Sequence, residues 1–265
     1  MQRQAQRAPS RQETAKGESW EPVASWYDEL VGARGTEFHQ ELIIPGVLRL
    51  LALTPGEKVL DLACGQGVVA KALHKAGAQV TGVDLSPSLI EMARKHSPKA
   101  VRYLLGDARH LNTLADREFD AIVSVLALQN MDPIGPVFAE CARLLRPGGR
   151  LVLVITHPAF RIPRHSRWRL DEERKLLLRE ADGYLTPMSI PIDMRPFKRP
   201  GRKVTTTYHR PLETYVNGLS QVGLWVNALE EWPSHKTSQP GPHARAENRA
   251  RAEFPLFLAL RATRV

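Results

Sequence analysis

Short apolar runs alternate with amphipathic stretches through the middle of the chain. The apolar runs predict five strands, at residues 58–62, 79–83, 101–105, 118–126 and 151–156. The stretches between them place apolar residues three and four apart, which predicts helices. Strands that alternate with helices favour an α/β fold with a doubly wound, mostly parallel sheet.

A glycine turn follows the first of these strands. Asp61 ends the apolar run, and Gly65 and Gly67 separate it from a helical stretch that begins at Val68. A strand, a glycine turn and a helix bring backbone N–H groups to a ligand. The spacing also satisfies the dinucleotide fingerprint G-x-G-x-x-G/A, so a nicotinamide enzyme remains an alternative at this point.

Carboxylates at the strand ends favour a different cofactor. Asp61 lies ahead of the turn, where it would repel a pyrophosphate but attract an ammonium or sulfonium group. Asp84 ends the second strand, where a carboxylate can accept both ribose hydroxyls of an adenosyl group. A further acid, Asp107, follows the third strand.

The segment 61–67 resembles the first motif of class I S-adenosylmethionine-dependent methyltransferases, and the resemblance covers roughly residues 40–157 in order. The Arg-Pro-Gly-Gly turn at 146–149 is a further hallmark. The resemblance implies S-adenosylmethionine as cofactor, S-adenosylhomocysteine as product and no metal. It assigns the adenine amino group to Asp107. The predicted cofactor-binding residues are Asp61, Ala63, Cys64, Gly65, Gly67, Asp84, Leu85, Asp107, Ala108 and Val125.

The rest of the chain is expected to complete a seven-stranded sheet with a closing reversed hairpin. We expect a disordered tail (1–19), N-terminal lid helices (20–53), a cofactor-binding core (54–157), an inserted substrate cap (158–203) and the C-terminal part of the core (204–265). The cap has no clean period, and one helix is predicted in it, at 171–179. Beyond it we predict a strand at 204–209, a helix at 211–222, closing strands at 224–231 and 254–262, and a connection that is partly helical at 244–252.

The acceptor side offers weaker signals. Methyl transfer from a sulfonium is an in-line displacement, which needs a general base only if the acceptor must lose a proton. His157, at the end of the fifth strand, and His209 are the candidate bases. The candidate substrate-binding residues are Tyr27, His39, Gln129, Arg161 and Trp168. The Asn/Asp-Pro-Pro-aromatic sequence of base-methylating relatives is absent after the fourth strand, which counts against methylation of a nucleic-acid base.

Charge and composition indicate what kind of molecule the protein acts on or binds. The 265 residues carry a net charge of +9, and thirteen Lys and Arg against six Asp and Glu place +7 of it between His157 and Arg210. Such a balance favours anionic partners. We predict a small-molecule acceptor, anionic or aromatic. The alternatives are an RNA methyltransferase that uses the basic cap and a non-catalytic cofactor-binding subunit.

Cysteine usage and hydropathy bear on the compartment. Two cysteines without metal-ligand spacing suggest a reducing environment and no zinc. No apolar run approaches the length of a membrane span, and no signal peptide is visible. The sequence therefore predicts a cytoplasmic protein without a membrane partner, acting as a monomer or homodimer.

Overall fold

A computed structural model describes residues 20–194 and 204–265. The predicted tail at 1–19 and the last part of the predicted cap lie outside the described residues. The strands are β1 (Lys58–Leu62), β2 (Gln79–Asp84), β3 (Arg102–Leu105), β4 (Phe119–Val125), β5 (Leu145–Thr156), β6 (Ser166–Asp171), β7 (Leu176–Ala181), β8 (Met188–Asp193), β9 (Val204–His209), β10 (Leu224–Trp232) and β11 (Phe257–Arg264). The helices are α1 (Ala24–Val31), α2 (Ile44–Leu51), α3 (Val68–Lys75), α4 (Pro87–His96), α5 (Gly135–Leu144), α6 (Leu212–Gln221) and α7 (Ala244–Glu253).

Seven strands form the main sheet, in the order β10-β11-β5-β4-β1-β2-β3. The neighbours from β5 to β3 are parallel, whereas β11 runs antiparallel to both β5 and β10. The predicted α/β fold, with its doubly wound, mostly parallel sheet and its closing reversed hairpin, is therefore confirmed. Because β1 to β4 run in the same direction, their carboxyl ends meet at one edge of the sheet.

The central strands are buried on both faces, which explains their nearly continuous apolar sequences. On one face, Phe138 of α5 and Leu219 of α6 pack against the sheet within a large apolar cluster. On the other face, Leu51 of α2, Leu73 of α3 and Ile90 of α4 pack within a second cluster. Helices on both faces hold the strand ends in fixed positions.

The N-terminal segment leads from a short 3₁₀ turn, Glu21–Val23, into α1, and a π-helical turn, His39–Ile43, continues into α2. The predicted N-terminal helices thus form, and Pro45 lies in the first turn of α2, where no N–H partner is required. Glu21 fixes the start of this segment to the core, because its carboxylate accepts hydrogen bonds from Ser86 and Ser88 at the N-terminus of α4.

The predicted cap helix at 171–179 is wrong. The structure forms a hairpin there, with β6 antiparallel to β7. Asp171 accepts a hydrogen bond from the backbone N–H of Arg174 at 2.9 Å, which builds the turn in place of a helix. Across the hairpin, Arg167 and Arg169 both form ion pairs with Glu180. Cross-strand charge pairs of this kind stabilise two-stranded sheets.

A second hairpin joins the cap to the segment expected in the core. β9 pairs with β8 along its whole length and lies outside the main sheet. The cap therefore extends to His209, beyond the predicted boundary at residue 203. The predicted helix at 211–222, the closing strands and the helical part of the connection are confirmed as α6, β10, β11 and α7. In the described part of the chain, no helix combines the length and the apolar character that crossing a membrane requires.

Candidate functional site

A cavity of about 360 Å³ opens at the carboxyl edge of β1 to β4. This volume lies in the range of small-molecule and cofactor sites. The loops after the strands supply one part of its lining, the N-terminal segment a second and the cap hairpin a third. The lining includes Trp20, Tyr27, His39, Ala63, Gly65, Asp84, Leu85, Asp107, Ala108, Val125, Leu126, Gln129, Asn130, Met131, Ile192, Met194, Thr205 and Thr207.

The two glycines of the loop after β1 are required for different reasons. Both have positive φ, +54° at Gly65 and +80° at Gly67. A Cβ at Gly67 would lie 2.3 Å from Oη of Tyr103, so this position is closed by packing inside the protein. A Cβ at Gly65 would project beside the Tyr27 ring at 3.6 Å, next to the cavity. Gly65 therefore keeps space open on the ligand side of the loop.

Backbone strain is concentrated beside the same loop. Ala63 and Leu126 both adopt left-handed conformations, with φ of +57° and +53°. They follow β1 and β4 directly, and both line the cavity. Non-glycine residues in this region cost free energy and persist where the surrounding structure enforces them, often at functional sites.

Asp84, at the end of β2, is fixed by two backbone donors. Its Oδ2 accepts from the N–H of Gly65 at 2.8 Å, and its Oδ1 accepts from the N–H of Ser86 at 2.9 Å. Burial nevertheless raises the pKa of Asp84, partly offset by these hydrogen bonds. Each carboxylate oxygen can accept a further bond, so the side chain is oriented and still able to bind two hydroxyls.

Asp61 lies below the loop and is 1% exposed. Within the described part of the chain its Oδ2 has no hydrogen-bond partner. Burial, together with the nearby charge of Asp84, raises the pKa of Asp61 to about 7. A backbone hydrogen bond from Ala70 offsets part of this effect, but a buried carboxylate oxygen without a partner remains costly, and a cationic group beside it would offset that cost. The ammonium and sulfonium of S-adenosylmethionine fit this environment.

Asp107, after β3, is held by a neighbouring cation. Arg109 donates to both of its carboxylate oxygens, with its Nη2 at 2.8 Å from Oδ2. Burial raises the pKa of Asp107, but the hydrogen bonds and charge of Arg109 outweigh burial and lower it overall. The side chain is therefore an ionised acceptor at the cavity wall, as recognition of an amino group requires.

The part of the cavity lined by the loop after β4 and by the cap combines apolar and neutral polar side chains. Gln129 donates from Nε2 to the carbonyl of Leu126 at 2.6 Å, while its Oε1 has no partner among the residues described. From the cap, Thr207 donates to Oδ1 of Asn130 at 3.4 Å. Met131 and Ile192 supply apolar surface beside them. This end can position a mostly apolar molecule with a few hydrogen bonds.

The N-terminal segment covers the cavity with aromatic side chains. Tyr27 packs edge-on against Trp20, with ring centroids 5.2 Å apart. Burial, with the charges of Asp84 and Asp61, raises the pKa of Tyr27 to about 12, so its phenol stays neutral. His39 accepts at Nδ1 from the backbone N–H of Thr36 at 3.3 Å. Burial lowers its pKa, and the neutral ring then carries its proton on Nε2.

Most predicted cofactor residues line the cavity, and the others lie directly beneath it. Asp61, Cys64 and Gly67 belong to the second group. The candidate substrate-binding residues fall into two groups. Tyr27, His39 and Gln129 line this cavity, whereas Arg161 and Trp168 line another one.

Neither candidate base lies in the cavity lining. The Nε2 of His157 is 2.7 Å from Oε1 of Glu231, and its Nδ1 accepts from the N–H of Ala159 at 3.2 Å. His209 is buried, and its Nε2 donates to the carbonyl of Tyr184 at 2.8 Å. Both rings are thus engaged in hydrogen bonds within the protein. Their catalytic role stays a prediction that the geometry does not favour.

The sequence analysis missed several lining residues. Thr205 and Thr207 face the cavity from alternate positions of β9, and Trp20 and Asn130 complete other walls. The period-two spacing of the threonines was available as a signal. Strand propensity at 204–209 was compatible with pairing to the cap or to the sheet edge, and the structure shows pairing with β8 of the cap.

Comparison with known proteins agrees with this geometry. The family model described as "Methyltransferase domain" matches residues 60–153. An S-adenosylmethionine-dependent methyltransferase from Mesorhizobium loti superposes with a TM-score of 0.66 at 26% identity, covering 83% of this chain and 96% of that one. Residues 60–153 therefore match a methyltransferase domain, and the chain shares the fold of a solved S-adenosylmethionine-dependent methyltransferase. The family implies binding of S-adenosylmethionine, which the unpartnered oxygen of Asp61 and the open face at Gly65 fit.

Two curated methyltransferase relatives match only the core. The demethylmenaquinone methyltransferase of Tropheryma whipplei is 36% identical over 115 residues, 42% of this chain and 46% of that protein. The ubiquinone biosynthesis O-methyltransferase of Xanthomonas campestris is 40% identical over 103 residues, 37% of this chain and 43% of that protein. The match therefore spans less than half the length of either relative.

Proposed function

We propose that this chain transfers a methyl group from S-adenosylmethionine to a small-molecule acceptor by in-line displacement. The observation that carries the proposal is the shared cavity. The carboxylates Asp84 and Asp107 line the same space as Gln129 of the loop after β4 and Thr207 of the cap. A donor held by the carboxylates would thus face an acceptor held by the cap, and alignment of the two supplies much of the acceleration.

The three carboxylates on the cofactor side would have different roles. Asp84 would accept the ribose hydroxyls, and Asp107 would accept the adenine amino group. Asp61, 1% exposed, would balance the positive charge of the donor. The bound donor supplies an electrophilic methyl group on sulfur. Because the methyl leaves a sulfonium, positive charge near sulfur disappears during transfer, so Asp61 would favour binding more than it favours the transition state.

The acceptor side would select a molecule with an apolar body. Met131, Ile192 and Met194 offer apolar surface, and Thr205 and Thr207 offer hydroxyls. The names of the two curated relatives, one for demethylmenaquinone and one for ubiquinone biosynthesis, support a small-molecule acceptor. We do not assign the atom that is methylated.

Acceptor deprotonation would not depend on the two predicted bases. His157 and His209 are engaged within the protein and lie outside the cavity lining. His39 does line it, and its Nε2–H would donate a hydrogen bond to the acceptor. Positioning would therefore account for most of the rate enhancement, with an acceptor that loses its proton to solvent.

Isotope transfer tests the proposal. The full chain is incubated with S-adenosylmethionine labelled in the methyl group and with separate panels of phenols, reduced quinones and RNA. We expect label in one small-molecule panel and S-adenosylhomocysteine in equal amount, both abolished by Asp84→Ala. Label in RNA that falls steeply with salt would instead establish the RNA alternative. Tight binding of S-adenosylhomocysteine without transfer to any panel would support the non-catalytic alternative.

A further inference from the structure

A second cavity, of about 600 Å³, lies beyond the carboxyl end of β5. The β6–β7 hairpin forms one wall through Trp168, and α7 forms another through Arg251. It shares no lining residue with the first cavity. The neighbours Phe38 and His39 line different cavities, so the start of the π-helical turn separates them.

Arginines converge on this cavity from three elements. Arg161 and Arg251 line it, and Arg179 lies over the Trp168 ring, with its guanidinium carbon 4.9 Å from the ring centroid. Burial lowers the pKa of Arg161, and the charges of Arg179 and Arg251 lower it further. The three guanidinium groups are thus close enough to repel one another.

Carboxylates do not compensate for this charge. Within residues 20–194 and 204–265, no Asp or Glu forms an ion pair with any of the three arginines, although Glu247 also lines the cavity. The Nε of Arg161 is buried and has no partner in the same ranges. By contrast, Arg167 and Arg169 on the neighbouring β6–β7 hairpin are exposed and both pair with Glu180. The arginines around the cavity thus differ from those on the outer face of the hairpin in having no carboxylate partner.

Aromatic rings complete the site. Phe254 contacts both Trp168 and Phe160 edge-on, with ring centroids 5.4 Å apart in each pair. Arg161 also lies over the Trp168 ring, at 5.7 Å. Flat apolar surfaces next to unpaired guanidinium groups can stack a ring and bind its anionic substituent at the same time.

We propose that this second cavity binds a small molecule with a planar ring and an anionic group, separately from the methyl-transfer site. Arg161 would bind the anion through its guanidinium group, and Trp168 with Phe254 would contact the ring. The inference does not depend on the proposed methyl transfer, because it rests on a cavity that shares no residue with that site.

Calorimetry with 2-naphthoate as probe tests the proposal on the full chain. We expect binding that persists with saturating S-adenosylhomocysteine, and at least tenfold weaker binding of the uncharged 2-naphthalenemethanol. Arg161→Gln should weaken 2-naphthoate binding at least tenfold. Arg167→Gln is the matched control, because Arg167 lies on the β6–β7 hairpin with an 80% exposed side chain. This variant should leave the affinity for 2-naphthoate unchanged.

Three results would overturn the assignment. They are the absence of 2-naphthoate binding, equal affinity in Arg161→Gln and the native protein, and competition with S-adenosylhomocysteine, which would place the probe in the first cavity. Affinity for S-adenosylhomocysteine serves as the folding control for each variant. Should Arg161→Gln fail to fold, Trp168→Leu provides the same comparison from the ring side.

Discussion

The first cavity has two parts that are built in different ways, and our proposal assigns one to the cofactor and the other to the acceptor. The proposed cofactor end comes from the loops after β1, β2 and β3, within about fifty consecutive residues, and Tyr27 of the N-terminal segment lies beside it. The proposed acceptor end combines the loop after β4 with the β8–β9 hairpin, which are far apart in the chain. The cofactor end contains charged groups fixed by backbone N–H donors, such as Asp84. The acceptor end contains neutral groups, such as Gln129 and Thr207.

This difference separates binding of the donor from choice of the acceptor. A change at a carboxylate should alter affinity for the donor whatever the acceptor is. A change in the cap hairpin should alter affinity for the acceptor and leave the donor bound as before. The following variants test that separation, beginning with the largest expected effect.

Replacing Asp84 should damage the cofactor end most. Asp84→Ala removes a carboxylate placed for two charge-assisted hydrogen bonds and also frees the loop at Gly65. We expect affinity for S-adenosylhomocysteine to fall about 100-fold, measured by calorimetry. The control Asp116→Ala, at a 72% exposed side chain, should retain affinity. Unchanged affinity in Asp84→Ala would remove the ribose role from this residue.

Adding a methyl group at Gly65 should be the next most damaging change. Gly65→Ala places a Cβ on the cavity side of the loop at a φ of +54°. We expect about 20-fold weaker binding of S-adenosylhomocysteine, since close approach of the ligand needs a bare backbone. Gly148→Ala is the matched control, with a φ of +75° and open space around its Cβ. It should lower thermal stability without affecting binding, and equal binding losses in both variants would contradict the argument.

The protonation of Asp61 should make donor binding depend on pH. Burial raises its pKa to about 7 from about 3.9 in an unfolded chain, so the folded protein without ligand loses stability as pH rises from 4 to 7. A cationic ligand prefers the ionised carboxylate. Affinity for S-adenosylmethionine should therefore rise about tenfold between pH 6 and pH 8.

Asp61→Asn should flatten this pH profile, whereas Asp116→Asn should preserve it. Calorimetry across the pH range provides the affinities, and thermal unfolding without ligand provides the stability. A profile in Asp61→Asn as steep as that of the native protein would assign the titration to another group.

The smallest expected effect belongs to the acceptor end. Thr207→Val keeps the shape of the side chain and removes the hydroxyl that donates to Asn130. We expect kcat/KM for the acceptor to fall about fivefold, with unchanged affinity for S-adenosylhomocysteine. Thr206→Val, at the adjacent position of β9 and outside the cavity lining, should change neither quantity. A loss of donor affinity in Thr207→Val would show that the two ends are not independent.

The cofactor end was largely predictable from the sequence because its signals are local. Asp61, Gly65 and Asp84 stand at strand ends, and parallel strands bring their carboxyl ends together without further information. The apolar runs of β1 and β4 likewise identified a sheet buried on both faces. Short-range pattern and the physics of parallel sheets were sufficient there.

The acceptor end was not predictable in the same way. Residues 171–179 have the composition of a helix, but a turn at Asp171 and the pairing of Arg167 and Arg169 with Glu180 favour a hairpin. Pairing between strands is a contact at long range that local propensity does not report. The position of Trp168 at a second cavity depends on that hairpin, so the sequence could not separate it from the residues that line the first cavity.

The attachment of Glu21 to α4 has a consequence for turnover. Trp20 and Tyr27, on either side of this residue, form part of the cavity wall, and Glu21 holds that stretch through Ser86 and Ser88. A carboxylate outside the cavity lining thereby holds in place two aromatic side chains that belong to it, so the width of the cavity entrance depends on a contact made away from any bound molecule.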